Sequence, residues 1–268
     1  MSEEPESRSS EGKHGVQSLE IGMGILRAMV GGQRSMMLKD IAAAADMPAS
    51  KAHRYLVSLI RAGLVEQDPM TSRYDIGPFA LNIGLVAIDR LDRIRLGLSA
   101  IAELRDQINE TTALSVWGDG GPVIVRWERP RRPITVNVVT GTALDPLNSA
   151  SGRVFTAWLP KETSNRLVER GLKEGKLRPE LQSRAAIEAL LAKVRADGYA
   201  AVSGYHSVAG VEALAAPVFN FKNEITLAML VVGVTGMFDL DPQGPVVTAL
   251  KQAAGDLSMR LGHLPAPV

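Results

Sequence analysis

Residues 47–77 read MPASKAHRYLVSLIRAGLVEQDPMTSRYDIG. Ala52, Tyr55, Leu56 and Leu59 fall at i, i+3, i+4 and i+7, the buried stripe of a helix expected over residues 50–62. Gly63 stands where a left-handed cap would end it. A second stripe of the same helix carries Lys51, Arg54, Ser58 and Arg61, all cationic or hydroxylic, and no acidic residue occurs between Asp46 and Glu66. A solvated helix face ordinarily mixes both signs to gain i, i+4 pairs. Duplex DNA instead rewards uncompensated positive charge, because each phosphate contact releases condensed counterions. Residues 64–67, the turn 68–72 and residues 73–76 fit two short strands around a wing. Arg73 at its tip can reach phosphate or an adjacent minor groove, and Thr71 and Ser72 can donate to phosphate oxygens. The competing reading is a small helical domain with a hairpin used for protein contact.

Working upstream, Leu19, Met23, Leu26 and Val30 recur at helical spacing before Gly31-Gly32, and an alanine-rich helix fits residues 38–45 until Asp46-Met47-Pro48 ends it. Three short helices and a hairpin make a winged helix-turn-helix. The first 14 residues are Ser- and Glu-rich with no apolar run, so they are expected to be a disordered tail rather than a signal peptide.

Composition narrows the function classes. The 268 residues carry 30 basic and 29 acidic side chains and are 46% hydrophobic, a soluble globular balance long enough for two domains. Cysteine is absent, which removes zinc ribbons, iron–sulfur clusters and thiol nucleophiles and points to a reducing cytoplasm. The four histidines, His14, His53, His206 and His263, are widely separated, so no metal or cofactor is expected. Residues 225–238 are uncharged but shorter than the roughly 20 residues of a membrane span. Walker A, GxSxG and HExxH patterns are absent, and Gly22-Met23-Gly24 lacks the third glycine of a dinucleotide fingerprint; no enzyme activity is expected.

Downstream, residues 79–95 carry Phe79, Ile83, Val86 and Leu91 on one side and read as a linker helix, or as the first helix of the second domain. A helix at 98–109 follows, then strands at 112–117, 123–128 and 134–139. Helices are expected at 151–159, 162–170 and 185–196, strands at 199–203, 211–218 and 225–234, and a last helix at 244–261. Paired strands with helices between and after them imply an α+β domain with an antiparallel sheet. Arg126, Arg129, Arg131 and Arg132 form a second cationic cluster around Glu128, read as surface or interface pairing because Pro130 and Pro133 suggest an exposed hairpin end.

These residues together resemble the IclR-type bacterial transcriptional regulators. The matching positions are Pro48, Ser50, His53-Arg54, Leu56, Leu59, Gly63, Val65 and Tyr74-Asp75-Ile76-Gly77, then the segment 141–146, Gly152-Arg153, Asp197-Gly198-Tyr199-Ala200 and Ala215-Ala216-Pro217-Val218. The resemblance covers about residues 15–263. Its departures are Lys51 where the family usually has Thr, one residue fewer between Pro146 and Gly152 with Asn148 near the usual His, a missing Glu after Tyr199-Ala200, and Ala213 in place of a frequent Cys. The resemblance implies a winged helix at 15–78, a linker helix at 79–95 and, at 96–268, a GAF-like antiparallel sheet flanked by helices that binds an effector and oligomerises. It also implies homodimers and dimers of dimers.

DNA contact is therefore assigned to Ser50, Lys51, His53, Arg54, Ser58, Arg61, Thr71, Ser72 and Arg73. One recognition helix covers too few base pairs for genomic specificity, so a dimer on a pseudo-palindromic operator is expected. The segment Leu147, Asn148, Ser149, Ala150, Ser151 and Gly152 is small and polar and precedes a helix, where hydroxyls and backbone N–H groups favour an anion. By resemblance, Trp117, Trp127, Tyr205-His206 and Leu214 complete the pocket walls. The alternatives are ordinary sheet packing for the two tryptophans and a solvated loop for His206. Such a pocket suits a small, possibly aromatic carboxylate. The expectation is a cytoplasmic, ligand-responsive repressor or activator of catabolic genes. The competing functions are an effector-independent DNA-binding regulator, and a metabolite-binding module or enzyme whose helices serve assembly.

Overall fold

Helices α1 (Gln17–Gly31), α2 (Leu38–Ala44) and α3 (Ala49–Arg61) pack around Ile25, Ile41 and Leu56, each fully buried. The computed structural model describes residues 15–89, 91–131, 140–204 and 210–264. The chain divides into two compact units, residues 1–91 and 92–268.

In the first unit, α3 closes with a Schellman arrangement. Gly63, at φ +71°, donates its N–H to the Ile60 carbonyl, and Leu64 donates to that of Leu59. Strands β1 (Val65–Gln67) and β2 (Tyr74–Ile76) then form the wing hairpin, and Met36 bridges to Tyr74 on its far side. Of the expected α1 stripe, Leu26 packs half-buried on the core, while Leu19, Met23 and Val30 are turned outward. Gly22, Ile25 and Met29 are buried, while Leu19 is 64% and Val30 55% exposed. Helical spacing fits several faces of an apolar helix, and the face toward α3 is the one whose small Gly22 admits Tyr55.

The single helix expected over 79–95 is instead two. Helix α4 spans Pro78–Asp89, and α5 spans Arg93–Ile108. Asp92 caps α5, its Oδ1 accepting from Arg95 N at 2.9 Å, which starts a new helix. The tail 1–14 and the strand expected at 134–139 lie outside the described residues.

The second unit is a five-stranded antiparallel sheet in the order β4-β3-β7-β6-β5, built from β3 (Thr111–Gly118), β4 (Gly121–Glu128), β5 (Ala200–Ser203), β6 (Val211–Phe219) and β7 (Ile225–Val234). One face carries Leu114, Leu214, Ala216, Leu227 and Met229 and is covered by α5 and α9 (Pro245–Arg260). The other carries Ala113, Ala215, Ala228 and Leu230 and is covered by α6 (Ala150–Trp158) and α8 (Arg184–Asp197), with α7 (Lys161–Glu174) beside them. Residues 179–181 add a 3-10 turn that the sequence pattern did not disclose. Residues 141–144 run along the free edge of β4, with Leu144 N bonded to the Pro122 carbonyl at 2.7 Å, and so deliver Asp145 to the start of α6.

Candidate functional site

On α3, Ser50, His53, Arg54, Ser58 and Arg61 are exposed and Lys51 is half-buried, while Ala52 and Leu56 on the other stripe are inaccessible. The cationic face is thus free for a ligand and the apolar face holds the helix to the core. Pro48 occupies the N-cap position and no side chain caps the helix, so its first N–H groups add to the positive end of the dipole.

The wing is internally tied. Asp68 Oδ1 accepts from the N–H groups of Met70 (2.7 Å) and Thr71 (3.3 Å), and these bonds, with one from the Thr71 hydroxyl, hold its carboxyl below its ordinary pKa. Ser72 takes a left-handed φ of +56° to close the turn. Thr71, Ser72 and Arg73 are all exposed. Arg73 also donates through Nη1 to the Ser35 carbonyl at 2.9 Å, so it braces the wing against the turn before α2.

In the second unit, the polar segment before α6 proves to be occupied by its own bonds. Asp145 Oδ1 accepts from Leu147 N (2.8 Å) and Asn148 N (2.7 Å). Ser149 is the N-cap, its Oγ accepting from Gly152 N at 2.9 Å while donating to the Asp145 carbonyl at 2.6 Å. Asn148 clamps a neighbouring loop, donating to the Lys176 carbonyl and accepting from Arg178 N, both at 3.1 Å. The buried Ser151 hydroxyl lies 2.6 Å from that of Ser115 on β3. A carboxylate of the chain thus already holds N–H groups that the sequence pattern offered to an anion.

Trp117 and Trp127 both pack on the α6 side of the sheet with Leu147 and Ala150. The Trp117 ring lies 5.5 Å from that of Phe155, and Trp127 Nε1 is buried without a hydrogen-bond partner among the described residues. Leu214 is a correction: it packs in the α5/α9 layer, on the opposite face from α6. Strand alternation accounts for this, since its neighbours Ala213 and Ala215 are the β6 residues that face α6. Tyr205 and His206 lie outside the described residues. Two members of the second cationic cluster are paired at the surface: Glu128 accepts from Arg126 (3.1 Å) as well as from Arg105 (3.3 Å), and Arg131 lies 3.8 Å from Asp106, while Arg132 lies outside the described residues.

One residue of this region was quoted in the sequence pattern but given no role. Arg153, on the first turn of α6, is only 5% exposed. Its Nε donates to the Leu147 carbonyl at 2.9 Å and its Nη1 to that of Ala201 at 3.1 Å, while Nη2 has no partner among the described residues. Burial first, and then the charge of Arg178, push its pKa down to about 10. Arg178 itself donates to the Ser203 and Gly204 carbonyls and lies 3.5 Å from Glu180. The signal available in the sequence was a basic residue directly after Gly152, beside the small polar segment. Among the described residues, no group of three or more His, Asp or Glu side chains could hold a metal ion.

With this geometry established, residues 86–259 match the family described as the IclR C-terminal domain of bacterial transcriptional regulators, and residues 18–69 match the IclR helix-turn-helix domain. The chain belongs to the IclR family. It is 33% identical over 258 residues to the glycerol operon regulatory protein of Streptomyces griseus, covering 92% of this chain and 97% of that one. The crystal structure of HmgR from Pseudomonas aeruginosa superposes with a TM-score of 0.81 at 37% identity, over 93% of this chain and 100% of that one. An IclR homologue from Microbacterium hydrocarbonoxydans, solved in complex with 4-hydroxybenzoate, shares the fold at a TM-score of 0.54 and 20% identity, over 91% and 99% of the two chains. The relatives are transcriptional regulators rather than enzymes, and this IclR-family chain is a DNA-binding transcriptional regulator. Among the described residues, no helix is long and apolar enough to cross a membrane.

Proposed function

We propose that this IclR-family regulator is ligand-responsive: a small carboxylate held on the α6 side of the second unit alters operator affinity and thereby the expression of catabolic genes. The DNA-binding part of this reading is carried by the acid-free cationic stripe of α3, with Lys51, His53, Arg54 and Ser58 toward the groove. The sensing part is supported by the homologue complexed with 4-hydroxybenzoate and by polar groups buried among apolar ones beneath α6.

Self-association fits the same reading. On α4, Phe79, Leu81, Ile83, Leu85 and Val86 are exposed, as are Leu19 and Val30 on α1. Exposed apolar surface of this extent is a liability in a monomer and a resource in a dimer. A two-fold pair would place two recognition helices on two half-sites, and an effector that favours one spacing over another would be coupled to the operator.

The test is operator binding by fluorescence anisotropy with and without each of a panel of aliphatic and aromatic acids, paired with thermal melting of the full chain. An acid that both stabilises the protein and changes operator affinity supports the reading. The second reading, an effector-independent regulator, is favoured by the bonds that Asp145, Asn148 and Ser149 already make within the chain. Operator binding that no small molecule changes would select it.

A further inference from the structure

We propose that Arg153 is the charge anchor for a monocarboxylate ligand of the second unit; this rests on reading that unit as a sensor.

Arginine stays charged at any physiological pH and carries five N–H donors, and a buried charge is tolerated when an opposite charge and full hydrogen bonding compensate it. Arg153 has two carbonyl acceptors, and its Nη2 edge has none among the described residues. No carboxylate of the described residues lies within 4.0 Å of it. The acids whose charge reaches it are otherwise engaged: Asp145 accepts from Leu147 N and Asn148 N, and Glu180 is largely exposed beside Arg178. A second cation, Arg178, lies in the same corner and raises the cost of the charge more than Glu180 and Asp145 individually lower it.

The architecture holds this cation in place rather than letting it swing to solvent. Asn148 ties residues 176–178 to the turn before α6, and the two arginines converge on the carbonyls of residues 201–204 from either side. Around them the α6 face is apolar, with Leu147, Leu177, Leu181, Ile187 and Val202 all buried. A guanidinium edge presents parallel N–H groups that match a carboxylate, and apolar surroundings suit a ligand with a hydrophobic body. One unpaired cation is balanced by one negative charge, which selects a monocarboxylate over a phosphate dianion. The anion is thereby placed at the Arg153 side chain rather than at the backbone N–H groups that Asp145 already fills.

The experiment is thermal melting of the full chain with sodium benzoate, its uncharged analogue benzamide and inorganic phosphate, repeated for Arg153→Met and Arg153→Lys. The expected result for the unsubstituted chain is a rise of roughly 5–10 °C at about a hundredfold excess of benzoate over its Kd, with no rise for benzamide and a smaller one for phosphate. Arg153→Met should lose the benzoate response; its melting point without ligand reflects two opposed effects, removal of a buried charge and loss of the donors to the Leu147 and Ala201 carbonyls, so the ligand-induced shift relative to each variant's own baseline is the readout. Arg153→Lys should keep part of the response. An undiminished benzoate response in Arg153→Met overturns the assignment and leaves the sensor reading standing. An equal response to benzoate and benzamide, a larger one to phosphate, or none to any of the three overturns it without recourse to the variants. The sensor reading is judged separately, by whether any small molecule changes operator affinity.

Discussion

Arg73 on the wing and Ser35 before α2 are joined by a 2.9 Å hydrogen bond from the guanidinium Nη1 to the backbone carbonyl. The wing therefore has its position set by the same side chain that the sequence assigns to phosphate. Arg54 on α3 is exposed, and its side chain makes no such internal contact among the described residues. The two arginines should then differ in their salt response. Arg54→Ala is expected to weaken operator binding and to reduce the slope of log K against log salt by about 0.9, the loss of one phosphate contact. Arg73→Ala should weaken binding with a slope reduced by clearly less than that, because its loss frees the wing rather than only removing a contact. Anisotropy titrations over a salt series decide this, and equal slope changes for both variants would show that the brace is irrelevant on DNA.

The wing turn supplies a pH dependence. The Met70 N–H, then the hydroxyl and N–H of Thr71, hold the Asp68 carboxyl below its ordinary 3.8. A carboxylate with a depressed folded pKa contributes stability that is complete above its unfolded pKa and is lost as pH falls through the folded value. Asp68→Asn should therefore lower the denaturation midpoint of the first unit near neutral pH. The gap to the parent should close as pH drops below 3.8. A gap that persists unchanged in acid would locate the role of Asp68 in its shape rather than its charge.

What could be read in advance follows the physics of each signal. The α3 stripe was legible because charge and apolarity separate cleanly along Ala52, Leu56 and Lys51, Arg54, and because Gly63 marks the helix end. The burial face of α1 was not, since Leu19, Met23 and Val30 repeat as regularly as the buried Gly22, Ile25 and Met29. The break between α4 and α5 turned on one capping carboxylate, Asp92, within a run of helical spacing. At the candidate effector site the engagement of each side chain was not readable: only coordinates show that Ser149 caps its own helix, that Ser151 meets Ser115 and that Leu214 faces away from α6. Arg153 stood out only once its burial and its missing acceptor could be measured.

The turn into α6 is built on the absence of a side chain at Gly152. A Cβ there would lie 2.1 Å from the Asp145 carbonyl oxygen and 2.6 Å from Pro146 Cα, both backbone. Gly152→Ala is expected to destabilise the second unit by at least about 1–3 kcal/mol, the usual cost of overpacking a site that cannot relax. Gly255, inside α9, has nothing within 4 Å of its Cβ position. Gly255→Ala should instead stabilise the same unit by roughly 0.5–1 kcal/mol through helix propensity. Urea midpoints of the two variants test the pair, and a tolerated Gly152→Ala would refute the close approach.

The exposed face of α4 makes the last prediction. Leu85 is 55% exposed on a helix whose neighbours Leu81 and Ile83 are also exposed. Leu85→Glu costs the isolated chain little, because the side chain already meets water there. In a dimer that buries this face, the same change places an unpaired carboxylate in an apolar contact, which is costly. The expected outcome is an increase of about tenfold or more in the dimer dissociation constant by sedimentation equilibrium. Operator affinity should fall in parallel, since two half-sites must be read together. The melting temperature of the first unit, extrapolated to low protein concentration, should stay near that of the parent. Unchanged sedimentation in Leu85→Glu would move the self-association surface away from α4 and onto the apolar stripe of α1 formed by Leu19, Met23 and Val30.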